Sequence, residues 1–135
     1  MAWVIDTCLL IDVLDDDPRF GESSARMIDA HIADGLEISP VSAIEMAPTF
    51  LGEWKQLDIF LSALGVQVGN WDTEDTRNAF LAWDRHIRAK RSGHHPRKPV
   101  ADMMIGAFAL KFQGILTRNP KDFKVLFPEL AIKSR

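Results

Sequence analysis

A short apolar run that ends in an acid and passes straight into a helix restricts this chain more than any other feature. Trp3, Val4 and Ile5 lead into Asp6, and Thr7-Cys8-Leu9-Leu10-Ile11 follows with no linker. The run reads as a buried strand that delivers a carboxylate at its C-terminal end. Leu9, Leu10, Val13 and Leu14 then recur at helical spacing, which leaves Asp12 for the other face. Strand, acid and immediate helix make the first βα turn of a parallel sheet. In open α/β sheets the ligand crevice lies outside the carboxyl ends of the strands. Asp6 is therefore placed for chemistry, although Asp is also a favoured helix N-cap. Whether further carboxylates reach the same edge decides between the two readings.

Taken in order, the Asp15-Asp16-Asp17-Pro18 cluster reads as a solvated, capped turn. Ser23 to Ala33 reads as a helix with Ala25, Met27, Ile28 and Ile32 on its apolar side, ended by Gly35. A strand follows at Leu36–Ser39, and Pro40 opens the next helix with Ser39 as N-cap. Glu45 lies in that helix among Ile44, Met46 and Ala47, where an ionised carboxylate needs a partner or an opening to solvent. Beyond Pro48, Leu51 to Leu64 carries Trp54, Leu57, Phe60, Leu61 and Leu64 as a core stripe or a contact with another chain. Gly65–Val68 is a strand. The helix that opens at Trp71-Asp72 has Phe80, Trp83 and Ile87 on one side and Arg77, Asp84, Arg88 and Arg91 on the other.

Gly93 stops that helix, and His94 to Lys98 form a basic loop whose two adjacent histidines lack zinc-ligand spacing. The helix from Pro99 to Leu110 is apolar nearly all round and so is a buried one. Asp102 sits in its first turn, where burial demands a cationic partner. Ile115–Thr117 is the next strand; Asn119 and Asp122 flank its end, Pro120 starts a short helix, and Phe123 anchors it. Leu130–Ile132 is a final strand candidate.

This alternation predicts an α/β architecture with a mainly parallel sheet, in a single domain over residues 1–135. The lone Cys8 forms no internal disulfide, looks buried, and fits a reducing compartment. With no apolar run of membrane-spanning length and no signal-type segment, a cytoplasmic protein is expected. A net charge of −3 argues mildly against a general nucleic-acid binder. Yet Arg85, Arg88, Lys90, Arg91, Arg97 and Lys98, with His86, His94 and His95, gather in one stretch that can meet phosphates. If the strands share one edge, three or four acids converge as oxygen donors, a set that suits Mg²⁺ or Mn²⁺ and hydrolysis of a phosphodiester.

Four segments resemble PIN domains, and most closely the VapC-type toxins of bacterial toxin–antitoxin pairs. They are Val4-Ile5-Asp6-Thr7-Cys8-Leu9-Leu10-Ile11-Asp12, Ser42-Ala43-Ile44-Glu45, Ala101-Asp102-Met103-Met104-Ile105-Gly106-Ala107 and Leu116-Thr117-Arg118-Asn119-Pro120-Lys121-Asp122-Phe123. The resemblance covers nearly the whole chain and keeps the family's motif order. It implies a three-layer α/β/α domain and a single-strand-specific ribonuclease dependent on Mg²⁺ or Mn²⁺. By position, Asp6, Glu45 and Asp102 match the family's metal-holding acids. Asn119 and Asp122 match the two places of the last motif; Asn119 brings no charge, so Asp122 is the fourth metal-holding acid. The resemblance also implies an RNA substrate, a homodimer, and a cognate antitoxin whose peptide lies across the groove, with Trp54 to Leu64 supplying part of the contact. The His94–Lys98 loop is longer than the family pattern.

Rival readings fit less well. A haloacid-dehalogenase-type phosphatase wants a second acid two residues after the nucleophile, where this chain has Cys8. A dinucleotide site needs glycines after the first strand, and Thr7-Cys8-Leu9 has none. A receiver-type domain needs paired acids at the first strand's end and a late lysine. A catalytically silent PIN-like module that binds RNA or protein is the remaining alternative; loss of a core acid would favour it, and none is missing.

Overall fold

The computed structural model describes residues 1–91 and 99–134, without the side chains of residues 90, 91 and 99. The His94–Lys98 loop and the Gly93 stop lie outside the described residues.

The sheet is organised around β1 (Trp3–Ile5), which is fully buried. On one side it pairs with β2 (Leu36–Ile38), which pairs in turn with β3 (Val66–Val68). On the other it pairs with β4 (Gly114–Leu116), followed by β5 (Ile132–Lys133). Every pairing is parallel, and the spatial order is β3-β2-β1-β4-β5.

Because strand side chains alternate, β1 feeds two cores. Trp3 and Ile5 join Leu9, Leu10, Met27, Ile28, Leu57 and Leu61 on one face. These come from α1 (Thr7–Leu14), α2 (Gly21–His31) and α4 (Trp54–Leu64), and α3 (Pro40–Glu45) adds Ala43. Val4 and Ile115 point the other way, into Ala82, Phe108, Phe123 and Phe127. That layer is built by α5 (Thr73–Arg91), α6 (Pro99–Ala109) and α7 (Pro120–Leu126). A parallel sheet needs both faces covered, and the result is the expected three-layer α/β/α arrangement.

Local rules explain most element ends. Ser39 caps α3 by accepting a hydrogen bond from the Val41 N–H at 3.1 Å. Asp17 Oδ1 accepts from the backbones of Arg19 and Phe20, both at 2.8 Å, which closes the acidic turn before α2. Asp72 and Asp75 cap α5 reciprocally, each carboxylate taking the other's backbone N–H at 3.0 Å. Elsewhere tertiary contacts override the pattern. The expected helix from Leu51 starts only at Trp54, because Leu51 takes a φ of 54° and Gly52 one of 74° in the preceding turn. The last strand lies at Ile132–Lys133, where it finds its partner in β4, rather than at 130–132.

Two faces differ from the amphipathic reading. Asp12 is 3% exposed, not on an outer face of α1, since Arg118 and Ser24 both reach its carboxylate. On α5 the buried positions are Asp75, Ala82 and His86, whereas Phe80 is 72% and Trp83 43% exposed. Asp75 can face inward because Lys111 Nζ lies 2.7 Å from its Oδ2 while resting over the Phe108 ring. The basic stretch is partly consumed by the fold as well. His86 is buried, Arg85 donates to the Leu126 carbonyl at 2.8 Å, and Arg88 pairs with Asp84 at 3.0 Å.

α6 packs closely against α7 at Gly106, where a Cβ would come within 2.5 Å of the Phe127 ring. Phe127 is 1% exposed and has little room to retreat. Gly106→Ala is expected to destabilise the fold by about 1–3 kcal/mol, despite alanine's better helix propensity. Urea unfolding of the two proteins checks this, and a stabilised variant would contradict the packing described.

Candidate active site

The chain leaves β1 toward β2 on one side and returns to place β4 on the other, so β1 and β4 flank the point where strand order reverses. In open α/β sheets this switch point, outside the carboxyl ends of the strands, is where ligands bind. Asp6 follows β1 directly at that point, and its backbone N–H is fixed to the Leu116 carbonyl at 3.0 Å. Asp6 stands at the N-cap of α1, yet its side chain makes no capping hydrogen bond. It turns sideways instead. Oδ2 accepts from the Thr117 hydroxyl at 2.7 Å and from the Cys8 thiol at 3.2 Å. The capping role weighed for this acid is thus not what its carboxylate does.

Glu45 approaches from the end of α3. Its Oε1 accepts from the Thr7 hydroxyl at 2.7 Å, and the Thr7 and Ser42 hydroxyls are joined at 2.8 Å. Thr7 and Ser42 are buried, while Glu45 opens to solvent. Adjacent residues of one βα turn, Asp6 and Thr7, therefore address strand β4 and helix α3 respectively.

Thr117 also accepts the Asn119 backbone N–H at 2.9 Å, so one of its lone pairs is occupied and its proton is aimed at Asp6. Asn119 is exposed, with its amide nitrogen 3.9 Å from the Cys8 sulfur. Asp122 is half-buried in the first turn of α7 and lines a surface depression with Arg118, Asn119, Pro120 and Lys121. Asp102 is half-buried in the first turn of α6, a helix that packs on α3. Among the described residues, no three His, Cys, Asp or Glu side chains form a group ready to hold a metal. The charge of Glu45 bears on Asp6, and like charges favour separation over a closed cage.

Burial pushes the Asp6 carboxyl above the usual carboxylate range. Hydrogen bonds from Thr117 and Cys8 oppose that rise, and the nearby Glu45 charge adds to it. Burial, then the Asp6 charge, pushes the Cys8 thiol up to about 12. At neutral pH Cys8 is therefore a proton donor to Asp6 and no competing thiolate.

The donor chemistry fits a hard divalent cation: Asp6 and Glu45 are oxygen donors, and both hydrogen-bond partners of Asp6 are neutral. With these two acids as ligands, such an ion would keep waters or take substrate oxygens as further ligands, as Mg²⁺ commonly does.

Sequence reasoning placed Asp6, Glu45 and Thr117 at this edge but missed the supporting hydroxyls of Thr7 and Ser42. Their signal was spacing: Thr7 adjoins Asp6, and Ser42 lies one turn before Glu45.

A raised folded-state pKa means that the folded protein holds the Asp6 proton longer than the unfolded chain does. Stability is then lost as pH rises from the unfolded value, about 4, through the folded one. Asp6→Asn is expected to melt several degrees higher than wild type at pH 7 without divalent metal, the gap closing below about pH 4. Thermal scans across pH check this.

No protein-family model matches the sequence, and no curated protein matches it. Solved structures do. A chain of VapBC2 from Rickettsia felis, bound to a DNA fragment from its promoter, superimposes with a TM-score of 0.72 at 18% identity, covering 99% of this chain and 98% of that one. A chain of VapBC-1 from nontypeable Haemophilus influenzae gives the same TM-score, identity and coverage. A chain of FitAB bound to the IR36 DNA fragment gives 0.66 at 20% identity, over 99% and 94%. At such identities the likeness carries the fold alone: the chain shares the PIN-like α/β fold of these chains, as its resemblance to PIN domains implied.

Proposed function

We propose that this chain is a metal-dependent endoribonuclease that cuts single-stranded RNA and serves as the toxin of a toxin–antitoxin pair. One observation carries the reading. Asp6 is 5% exposed at the sheet's switch point, near another carboxylate, and its side-chain partners are a hydroxyl and a thiol. A buried acid without a cationic hydrogen-bond partner is costly, and such groups cluster at functional sites.

Asp6, Glu45, Asp102 and Asp122 would hold Mg²⁺ or Mn²⁺. When bound, that ion supplies a Lewis acid that activates water and offsets charge developing on the phosphodiester. The chain's own residues do the rest. Thr117 and Cys8 orient Asp6, Thr7 holds Glu45 by one oxygen, and Asn119 offers an exposed amide to RNA at the rim.

Partner surfaces support the toxin role. Close in sequence to Glu45 is a mainly apolar hollow lined by Ala43, Met46, Ala47, Phe50, Trp54 and Leu57, and Ile44 on the same short helix is 72% exposed. Trp54 itself is 64% exposed. A cognate antitoxin segment would dock there, within reach of the acids. Phe80 and Trp83 form a second apolar surface with Val100 and Met104, suited to a homodimer. Among the described residues no helix is long and apolar enough to cross a membrane.

Cleavage of labelled single-stranded RNA with Mn²⁺, Mg²⁺ or EDTA tests the reading. Wild type is expected to cut only with metal. Asp6→Asn and Asp102→Asn are each expected to lose more than about 100-fold, beyond what changes outside the ligand shell usually cost. A wild type that neither cuts varied RNAs nor binds Mn²⁺ would replace this reading with a silent binding module.

A further inference from the structure

The acid site rests on a turn whose middle residue points away from it. Thr117 and Asn119 are tied to each other and, through Thr117, to Asp6. Arg118, between them, sends its side chain along α1 to Asp12. Nε donates to Asp12 Oδ2 at 2.9 Å and Nη2 to Oδ1 at 3.1 Å, a two-oxygen grip that fixes direction as well as distance. Ser24 on α2 donates to the same Oδ2 at 2.8 Å. The guanidinium carbon lies 4.3 Å from the Phe20 ring centroid, and the Asp17 turn fixes the Phe20 backbone.

Asp12 lies one helical turn beyond Cys8 on α1, and this helix also carries Thr7 and follows Asp6. One rigid helix therefore sets both sides of the site. Its first turn provides the groups that touch Asp6 and Glu45, and its second turn anchors the strand-end turn that donates to Asp6. A buried ion pair is a poor device for stability alone, because an apolar pair of similar volume does as well or better. What the apolar pair lacks is direction.

We infer that the Asp12–Arg118 pair is a positioning device for the acid site, holding the 117–119 turn against α1 so that the Thr117 hydroxyl stays on Asp6. Its effect on metal binding rests on the nuclease reading; its effect on the turn does not.

The test uses the full chain as Asp12→Leu/Arg118→Met, which swaps the pair for apolar side chains, and as Arg118→Lys, which keeps the charge without the two-oxygen grip. The double variant is expected to melt within a few degrees of wild type. By NMR, its Asn119 amide should exchange about tenfold faster, with the Leu9 amide at the start of α1 unchanged. Calorimetry should find Mn²⁺ bound about tenfold or more weakly. Arg118→Lys should show both changes, and carries the test if the double variant does not fold. Unchanged Asn119 exchange in a folded variant would overturn the inference, as would faster exchange with undiminished Mn²⁺ affinity. If wild type binds no Mn²⁺, the nuclease reading fails and Asn119 exchange alone decides the positioning claim.

Discussion

Burial of one carboxylate at the centre of a parallel sheet is the constraint to which the rest of this molecule answers. The backbone of Asp6 is held in the sheet, because its N–H is bonded to the Leu116 carbonyl. The charge of its carboxylate is managed locally by a hydroxyl and a thiol, groups that lower the cost of ionisation without cancelling it. A lysine or arginine in their place would neutralise the acid and close the site. Among the described residues, the nearby cation Arg118 is committed to Asp12 and acts on Asp6 through the backbone it anchors. Separate handling of the two acids lets α1 hold one firmly paired and keep the other available.

The sheet edge does the gathering. Parallel strands present all their C-terminal ends together, so residues far apart in sequence meet there: Thr7 with Glu45, Asp6 with Thr117, Asp12 with Arg118. The chain also leaves large apolar side chains in solvent that a globular core would have buried. Leu51 is 87% exposed in the turn before α4, and Trp54 follows it at the helix start. Such surfaces are wasteful in a monomer and useful where a partner covers them.

How much of this the sequence disclosed depends on the range of the interaction. Asp6 at the end of a strand and Ser39-Pro40 at the start of a helix are local signals, and both stand where expected. The parallel sheet followed from the alternation of elements. Helix faces were less legible: Phe80 and Trp83 look like core residues by composition, yet the inward face of α5 is set by Asp75 and His86. An acid can face inward only because Lys111, 36 residues away, meets it, and no local pattern encodes such a partner. Asp12 misled for the same reason, with its partner 106 residues on. Motif order is likewise silent on how far Asp102 and Asp122 stand from Asp6 and Glu45, since that distance is a matter of three-dimensional approach.

The most direct test of the account is anomalous diffraction from crystals grown with Mn²⁺. The account predicts a peak within coordinating distance of the Asp6 and Glu45 carboxylates, reached also by Asp102 or Asp122 directly or through water. A peak elsewhere, with Asp6 still bonded only to Thr117 and Cys8, would contradict the claim that this buried acid exists to hold a cation.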